Sequence, residues 1–375
     1  MNFTFTDEQQ LLSDTVQRFV REHYTFEARR DILSSALGSS REIWSELANL
    51  GLTALNIPER YDGLGSGPVE TMLVMNALGA GLILEPFLSA AVITPALLSR
   101  LDDDSVIAEM ATAIASGERI IVVAHHEAQS RGVSNTIQTR ATKQANGLVL
   151  SGQKSVVAHA PLADEFLVTA LIDGQSSIAR VPKDATGVKV IAYRNFDGQS
   201  AGHLEFDQVR LPQSAILGVG ERIETAIEAS FDIGLSALCA EAVGIIEAVN
   251  AATVEYTKGR KQFGQPISRF QALQHRMADM FIHASQAKSM SYLAAMRCED
   301  ENSVERRRVL SAAKVVVGQA ARFVGQQAVQ LHGGMRMTDE MLVSHHFKRL
   351  TAIELTLGDT DHHLQRFASS YALGA

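Results

Sequence analysis

Glu241 lies in the run Ala237-Leu238-Cys239-Ala240-Glu241-Ala242-Val243-Gly244, an acid within a wholly apolar helical segment. Desolvation raises the pKa of such a carboxylate and suits it to general-base work. The same acid could instead be buried against an arginine for packing. Glu354 and Asp359 are weaker candidates, because an acid at a mixed helix terminus is usually just solvated. Two further clusters stand out. One is Arg260-Lys261-Gln262-Phe263-Gly264-Gln265-Pro266-Ile267 followed by Phe270-Gln271, and the other is Gln330-Leu331-His332-Gly333-Gly334. Taken alone, Arg260 and Phe263 could cap a helix end, and Gly333-Gly334 could stop one. Histidines occur as the adjacent pairs His125-His126, His345-His346 and His362-His363. Neighbours in a helix or strand point apart, so these pairs predict no metal site. Cys239 and Cys298 build no disulfide framework, and neither a CxxC nor an HExxH spacing occurs.

The elements that must position these residues follow from composition and periodicity. At 375 residues the chain has room for two or three domains. Aromatics are only 6% and there is one tryptophan, Trp44, a mix that favours helices packed on helices. With 34 basic and 42 acidic residues the net charge is −8, and no basic block exceeds Arg306-Arg307-Arg308, which argues against nucleic-acid binding. Acids at Asp7 and Glu8 stand where a signal peptide would need bases. The apolar stretch 72–99 is broken at Glu85-Pro86 into halves too short to span a bilayer. These features predict a soluble, cytoplasmic protein in a reducing compartment, with no membrane insertion.

Thr6-Asp7-Glu8-Gln9 is a capping-box pattern that opens an amphipathic helix, and helical spacing continues to about residue 115. Strand patterns then appear at 119–126, 136–141, 166–168, 177–181, 188–190 and 204–209, with Asn146-Gly147 marking a hairpin. Long helices are predicted at 224–258, 270–298 and 303–331, with shorter ones near 338–349 and 361–371. The fold expected is α+β, mainly α: an N-terminal helical domain (1–116), a central β-barrel-like domain (117–218) and a C-terminal long-helix bundle (219–375).

That order, together with the two clusters, resembles the acyl-CoA dehydrogenase family over essentially the whole chain. Supporting matches are Leu50-Gly51-Leu52, Ile57-Pro58-Glu59, Ser151-Gly152-Gln153-Lys154 and Phe206-Asp207-Gln208-Val209-Arg210-Leu211-Pro212. The resemblance implies FAD, an acyl-CoA substrate and a dimer-of-dimers assembly. It also implies that Arg260, Phe263, Gln271, Gln330, Gly333 and Gly334 reach the pyrophosphate and adenine end of a neighbouring subunit's FAD. A guanidinium fork suits phosphate oxygens, and paired glycines let backbone N–H groups approach an anion.

Several positions depart from the family pattern. The turn that usually carries the proton-abstracting glutamate is Leu355-Thr356-Leu357-Gly358-Asp359-Thr360, with Leu357 in the base position, and the alternate site on the first long bundle helix is Gly234. Leucine cannot take a proton. Of the usual flavin-ring loop, only Ser130 survives in the segment 124–131, and Val156 and Ala158 replace an aromatic and a threonine. Residues lent to a partner's flavin are kept while those for the chain's own chemistry are altered. This is similar to the small subunit of two-subunit, pimeloyl-CoA dehydrogenase-type enzymes, which act beside a homologous large subunit. Alternatives are a non-catalytic subunit completing a partner's FAD site, and a homomeric dehydrogenase or oxidase (dimer or tetramer) using Glu241 as a relocated base.

Overall fold

The structure, a computed structural model, describes residues 4–102, 104–130, 137–145, 147–334 and 340–372, with only the backbone of 104, 130, 371 and 372. Helices α1 (Asp7–His23), α2 (Phe26–Ser34), α3 (Arg41–Asn49), α4 (Pro68–Ala80), α5 (Thr94–Leu98) and α6 (Asp104–Ala115) come first. Strands β1 (Ile121–Ala124), β2 (Arg140–Gln144), β3 (Gly147–Ala158), β4 (Glu165–Ile172), β5 (Gln175–Pro182), β6 (Val188–Arg194), β7 (Ser200–Leu211) and β8 (Ile216–Val219) follow. Then come α7 (Glu221–Gly259), the short strands β9 (Lys261–Gln262) and β10 (Gln265–Pro266), α8 (Gln271–Arg297), α9 (Ser303–His332), α10 (Leu342–Leu355) and α11 (Thr360–Ala372). The capping box is present: Thr6 Oγ1 accepts from the Gln9 amide at 3.2 Å and Gln9 Oε1 from the Thr6 amide at 3.0 Å.

Packing groups these elements into two compact units. One comprises Met1–Arg29, Pro68–Ile83 and Leu235–Ala375; the other comprises Arg30–Gly67 and Leu84–Gly234. Helix gives way to strand at Ile121 and returns at Glu221, whereas the compact units join stretches distant in the chain. The reason is visible at α4, which crosses α7 too closely for side chains. A Cβ on Gly244 would meet the Asn76 carbonyl oxygen at 1.9 Å, and one on Gly79 would meet that of Glu241 at 2.4 Å.

In the sheet unit the strand order is β6-β7-β3-β2-β4-β5-β8, with β1 added beside β4. β1 and β2 both run parallel to β4 and the other pairings are antiparallel. The predicted hairpin joins β2 to β3, with Gln144 opposite Gly147; Asn146, like Thr136, lies outside the described residues. Leu98 and Leu101, with Ile107, Met110 and Ile114 of α6, pack on Ile121, Leu167, Ile178 and Leu217 of the sheet to form one apolar core. A seven-residue π-helix, Phe87–Ile93, precedes α5 and was not signalled by periodicity.

In the bundle unit α9 is the central helix and packs against α8, α10 and α11. Its buried positions include Ala313, Val317, Ala320, Ala321, Val324 and Ala328, small enough for close neighbours. On α8, Phe281 is 69% exposed, and Ile282, Leu293 and Met296 are also open to solvent. An 18-residue window of α7 is apolar enough to cross a membrane by length and composition, yet 94% of it is buried inside the protein. α10 extends to Leu355, beyond the end expected at 349, and the cation that supports those last turns is Lys314.

Candidate functional site

Leu357, in the position where the resemblance expects the base, has φ 57° and begins a tight left-handed reversal with Gly358 at φ 97°. A Cβ on Gly358 would lie 2.7 Å from the His362 ring and 2.8 Å from that of His363, so only glycine fits there. The buried Lys314 Nζ donates to the carbonyls of Ile353, Glu354, Thr356 and Gly358 at 3.0, 3.0, 2.7 and 2.7 Å. His363 Nε2 donates to the Leu357 carbonyl at 2.9 Å, which leaves Nδ1 to accept from Ser311 Oγ at 3.2 Å. The proton's placement follows from these partners. Lys314 has no counterpart among the residues that the sequence singles out, and His363, there only one of an adjacent pair, holds the turn. The signal that could have found Lys314 is a single lysine in the otherwise small and apolar run 311–317 of α9.

Each acid considered for proton abstraction already has a partner. Glu241 is buried at the α4–α7 crossing and receives a two-point clasp from Arg349, Nε to Oε1 at 2.6 Å and Nη2 to Oε2 at 2.9 Å. This corresponds to the packing alternative that the sequence left open. Glu354 Oε1 accepts from the Thr360 amide at 3.2 Å and its hydroxyl at 2.9 Å, with Arg322 Nη2 at 3.3 Å. Asp359 is exposed and accepts from the His362 amide at 2.8 Å, where α11 begins.

The residues expected to serve a neighbour's cofactor gather at one end of the bundle. β9 and β10 form a minimal hairpin whose turn residues Phe263 and Gly264 have φ 52° and 75°. Phe263 is 90% exposed, braced edge-on by Phe270 at 6.1 Å. The Arg260 amide continues α7 by bonding to Tyr256, whose ring stacks on His332 at 4.4 Å and whose hydroxyl donates to the His332 carbonyl at 3.1 Å. That contact ties the last turns of α7, which lead into the 260–264 turn, to the end of α9, which leads into Gly333 and Gly334. Arg260, Gln271 and Gln330 are all exposed. A Cβ on Gly264, Gly333 or Gly334 would meet nothing within 4 Å. Exposed guanidinium and amide donors beside open glycine backbone suit an anion approaching from outside this chain.

The sheet unit contains a second polar cluster. The fully buried Lys154 Nζ donates to Glu127 Oε1 at 2.7 Å, Thr169 Oγ1 at 3.0 Å and the His125 carbonyl at 3.1 Å. Burial pulls this ammonium down to about 8 against the pull of Glu127. His125 Nδ1 lies 3.1 Å from Thr169 Oγ1, and the rings of His125 and His126 both pack on Phe231, at 5.4 and 5.5 Å. Ser155 donates its amide to the His126 carbonyl at 2.8 Å, and the next residue, Val156, is half-exposed at φ 53°, costly for a β-branched side chain. The side chain of Ser130 lies outside the described residues.

Burial pushes His125 and His363 each down to about 3, so both are neutral in the fold. Unfolded histidine, with its pKa near 6.5, takes up a proton that the native state refuses. Stability therefore falls as pH drops from about 6.5 towards 3, by up to ~1.4 kcal/mol per pH unit for each histidine. Urea unfolding at a series of pH values across that window should give a shallower slope for His363→Asn and for His125→Asn. An unchanged slope in both variants would assign the acid sensitivity to carboxylates alone.

Comparison with known proteins adds the following. The profile of the acyl-CoA dehydrogenase N-terminal domain matches residues 6–127, and that of the acyl-CoA dehydrogenase C-terminal domain matches residues 223–371. The chain is 30% identical to the benzylmalonyl-CoA dehydrogenase of Aromatoleum aromaticum, over 80% of this chain and 81% of that protein. Its fold is similar to a chain of the ChsE4-ChsE5 complex from Mycobacterium tuberculosis, with TM-score 0.89 and 26% identity over 99% of each chain. It is also similar to an FAD-dependent dehydrogenase, with TM-score 0.88 and 25% identity over the full length of both chains.

Proposed function

The chain belongs to the acyl-CoA dehydrogenase family, and from that premise we propose that it is the small subunit of a heteromeric enzyme dehydrogenating an acyl-CoA thioester between Cα and Cβ. It is an FAD flavoprotein subunit of an oxidoreductase, and bound FAD supplies the acceptor for the hydride that leaves Cβ. The exposed Arg260 guanidinium and the open backbone at Gly333 and Gly334 support a role as donors to the pyrophosphate of an FAD held chiefly by a neighbouring subunit.

One observation carries the assignment of a small subunit. Leu357 holds the base position, and the apolar-segment acid Glu241 is already clasped by Arg349. A carboxylate in that clasp has both oxygens occupied, so it is poorly placed to remove a substrate proton. The base is then expected on a large subunit, and the uncovered apolar face of α8 supports association with one. The similarity to a chain of the ChsE4-ChsE5 complex is compatible with such pairing. Association should bury more than ~2,000 Å², as obligate interfaces do.

Co-expression with a homologous chain carrying the glutamate should yield a yellow, active complex, whereas this chain alone should not turn over. Turnover by this chain alone would overturn the proposal in favour of a homomeric enzyme. Within the complex, Arg260→Ala should weaken FAD retention by ~1.5–3 kcal/mol, as for a lost charge-assisted hydrogen bond. FAD titration of the apo-complex measures this. Unchanged FAD affinity with slightly lower thermal stability would reduce Arg260 to a helix-end residue.

A further inference from the structure

We propose that a cavity in the sheet unit, beside the start of α3, binds a small organic anion: a carboxylate or phosphate head on a short apolar body. The cavity has a volume of about 670 Å³ and is lined by Leu37, residues 39–41, Trp44, Ile120, residues 161–164, Lys183 and Asp184. This is within the size range of small-molecule sites. It lies wholly in one compact unit and owes nothing to the flavin-related residues at the bundle end.

The ligand's chemistry follows from the balance of donors and acceptors at the wall. Asp164, the acid nearest the cavity's basic groups, is already satisfied. Its Oδ1 and Oδ2 accept from Arg41 Nη2 at 2.9 and 3.2 Å, and Oδ2 also accepts from the Ile120 amide at 2.8 Å. The guanidinium spends one nitrogen on that pair and is half-exposed, with its remaining N–H groups unmatched among the described residues. Lys183 Nζ donates once, to the Pro161 carbonyl at 2.6 Å, which leaves further ammonium protons for a ligand. Burial draws this ammonium below the usual lysine range, with Asp164 opposing and Arg41 reinforcing the shift. A second anion would relieve that strain between two cations at one wall. Beyond Ser39 and Ser40 the remaining lining is mostly apolar: Leu37 is half-exposed, Ile120 and Leu162 are buried, and Trp44 donates its indole N–H away, to the Gly117 carbonyl at 3.1 Å. Asp184 also lines the cavity but is exposed, so solvent weakens its repulsion of an anion there.

The test uses the full-length protein in its complex, with hexanoate and inorganic phosphate as separate probes followed by calorimetry. Saturable hexanoate binding that weakens tenfold or more in Lys183→Gln supports the proposal with a carboxylate head. Saturable phosphate binding with the same sensitivity supports it with a phosphate head. Lys183→Gln leaves the Arg41–Asp164 pair intact, so its fold should survive; Arg41→Gln should weaken the same probe independently. Absence of saturable binding by both probes up to millimolar concentration overturns the proposal. So does binding that neither substitution alters.

Discussion

Replacing Lys314 with methionine is expected to destabilise the protein by ~3–5 kcal/mol, a large part of the ~5–15 kcal/mol that separates folded from unfolded domains. The ammonium has four carbonyl acceptors within 3.0 Å, and two of them, Ile353 and Glu354, belong to the last turn of α10. Carbonyls at a helix end lack the usual donor one turn on and point their negative dipole at whatever follows, although that of Ile353 also accepts from the Thr356 amide at 3.2 Å. Methionine fills the volume but leaves all four oxygens facing a thioether in a buried site. Lys314 also carries a recognisable pH signature. Burial lowers its pKa from 10.5 to about 8. The unfolded state therefore binds more protons between about pH 8 and 10.5, and stability rises with pH across that window. Lys314→Met should lose both the stability and this alkaline rise. Chemical denaturation at pH 7 and pH 9.5 measures both. A loss under ~1 kcal/mol at pH 7 would mean that His363 and Glu354 hold the turn without the lysine.

Glu241→Gln should divide stability from chemistry. Arg349 is only 13% exposed, and the substitution replaces the charged half of its two-point clasp with a neutral amide, at a cost of ~1–3 kcal/mol. If the proposed heteromeric assembly holds, its turnover should stay within a few-fold of normal, because the proposal places proton abstraction on the large subunit. In an Arg349→Met background Glu241→Gln should cost less, because the pair that it weakens is already gone. A fall of ~10²-fold or more in kcat with FAD still bound would be the signature of a removed general base. That result would make this chain catalytic through Glu241.

Local chemistry made much of the molecule legible. Thr6 and Gln9 opened α1 as their spacing predicts, and the apolar periodicity placed α7, α8 and α9 within three residues of their observed ends. Phe263 and Gly264 form a turn with both residues at positive φ, and the family resemblance put Leu357, which cannot take a proton, in the base position. These features depend on residues a few positions apart, which is the range over which dihedral preference and side-chain chemistry act. Tertiary structure alone decided the rest. Arg349 meets Glu241 across 108 residues, and Lys314 reaches carbonyls 39 to 44 residues away. β1 and β2 flank β4 in parallel with no α-helix between these strands among the described residues, and α4 docks on α7 through Gly79 and Gly244. A buried charge must find a partner, and that need is written in the apolar runs around Glu241 and Lys314. Which residue answers it depends on where the packed helices bring distant segments together, because no local preference encodes the crossing of two helices.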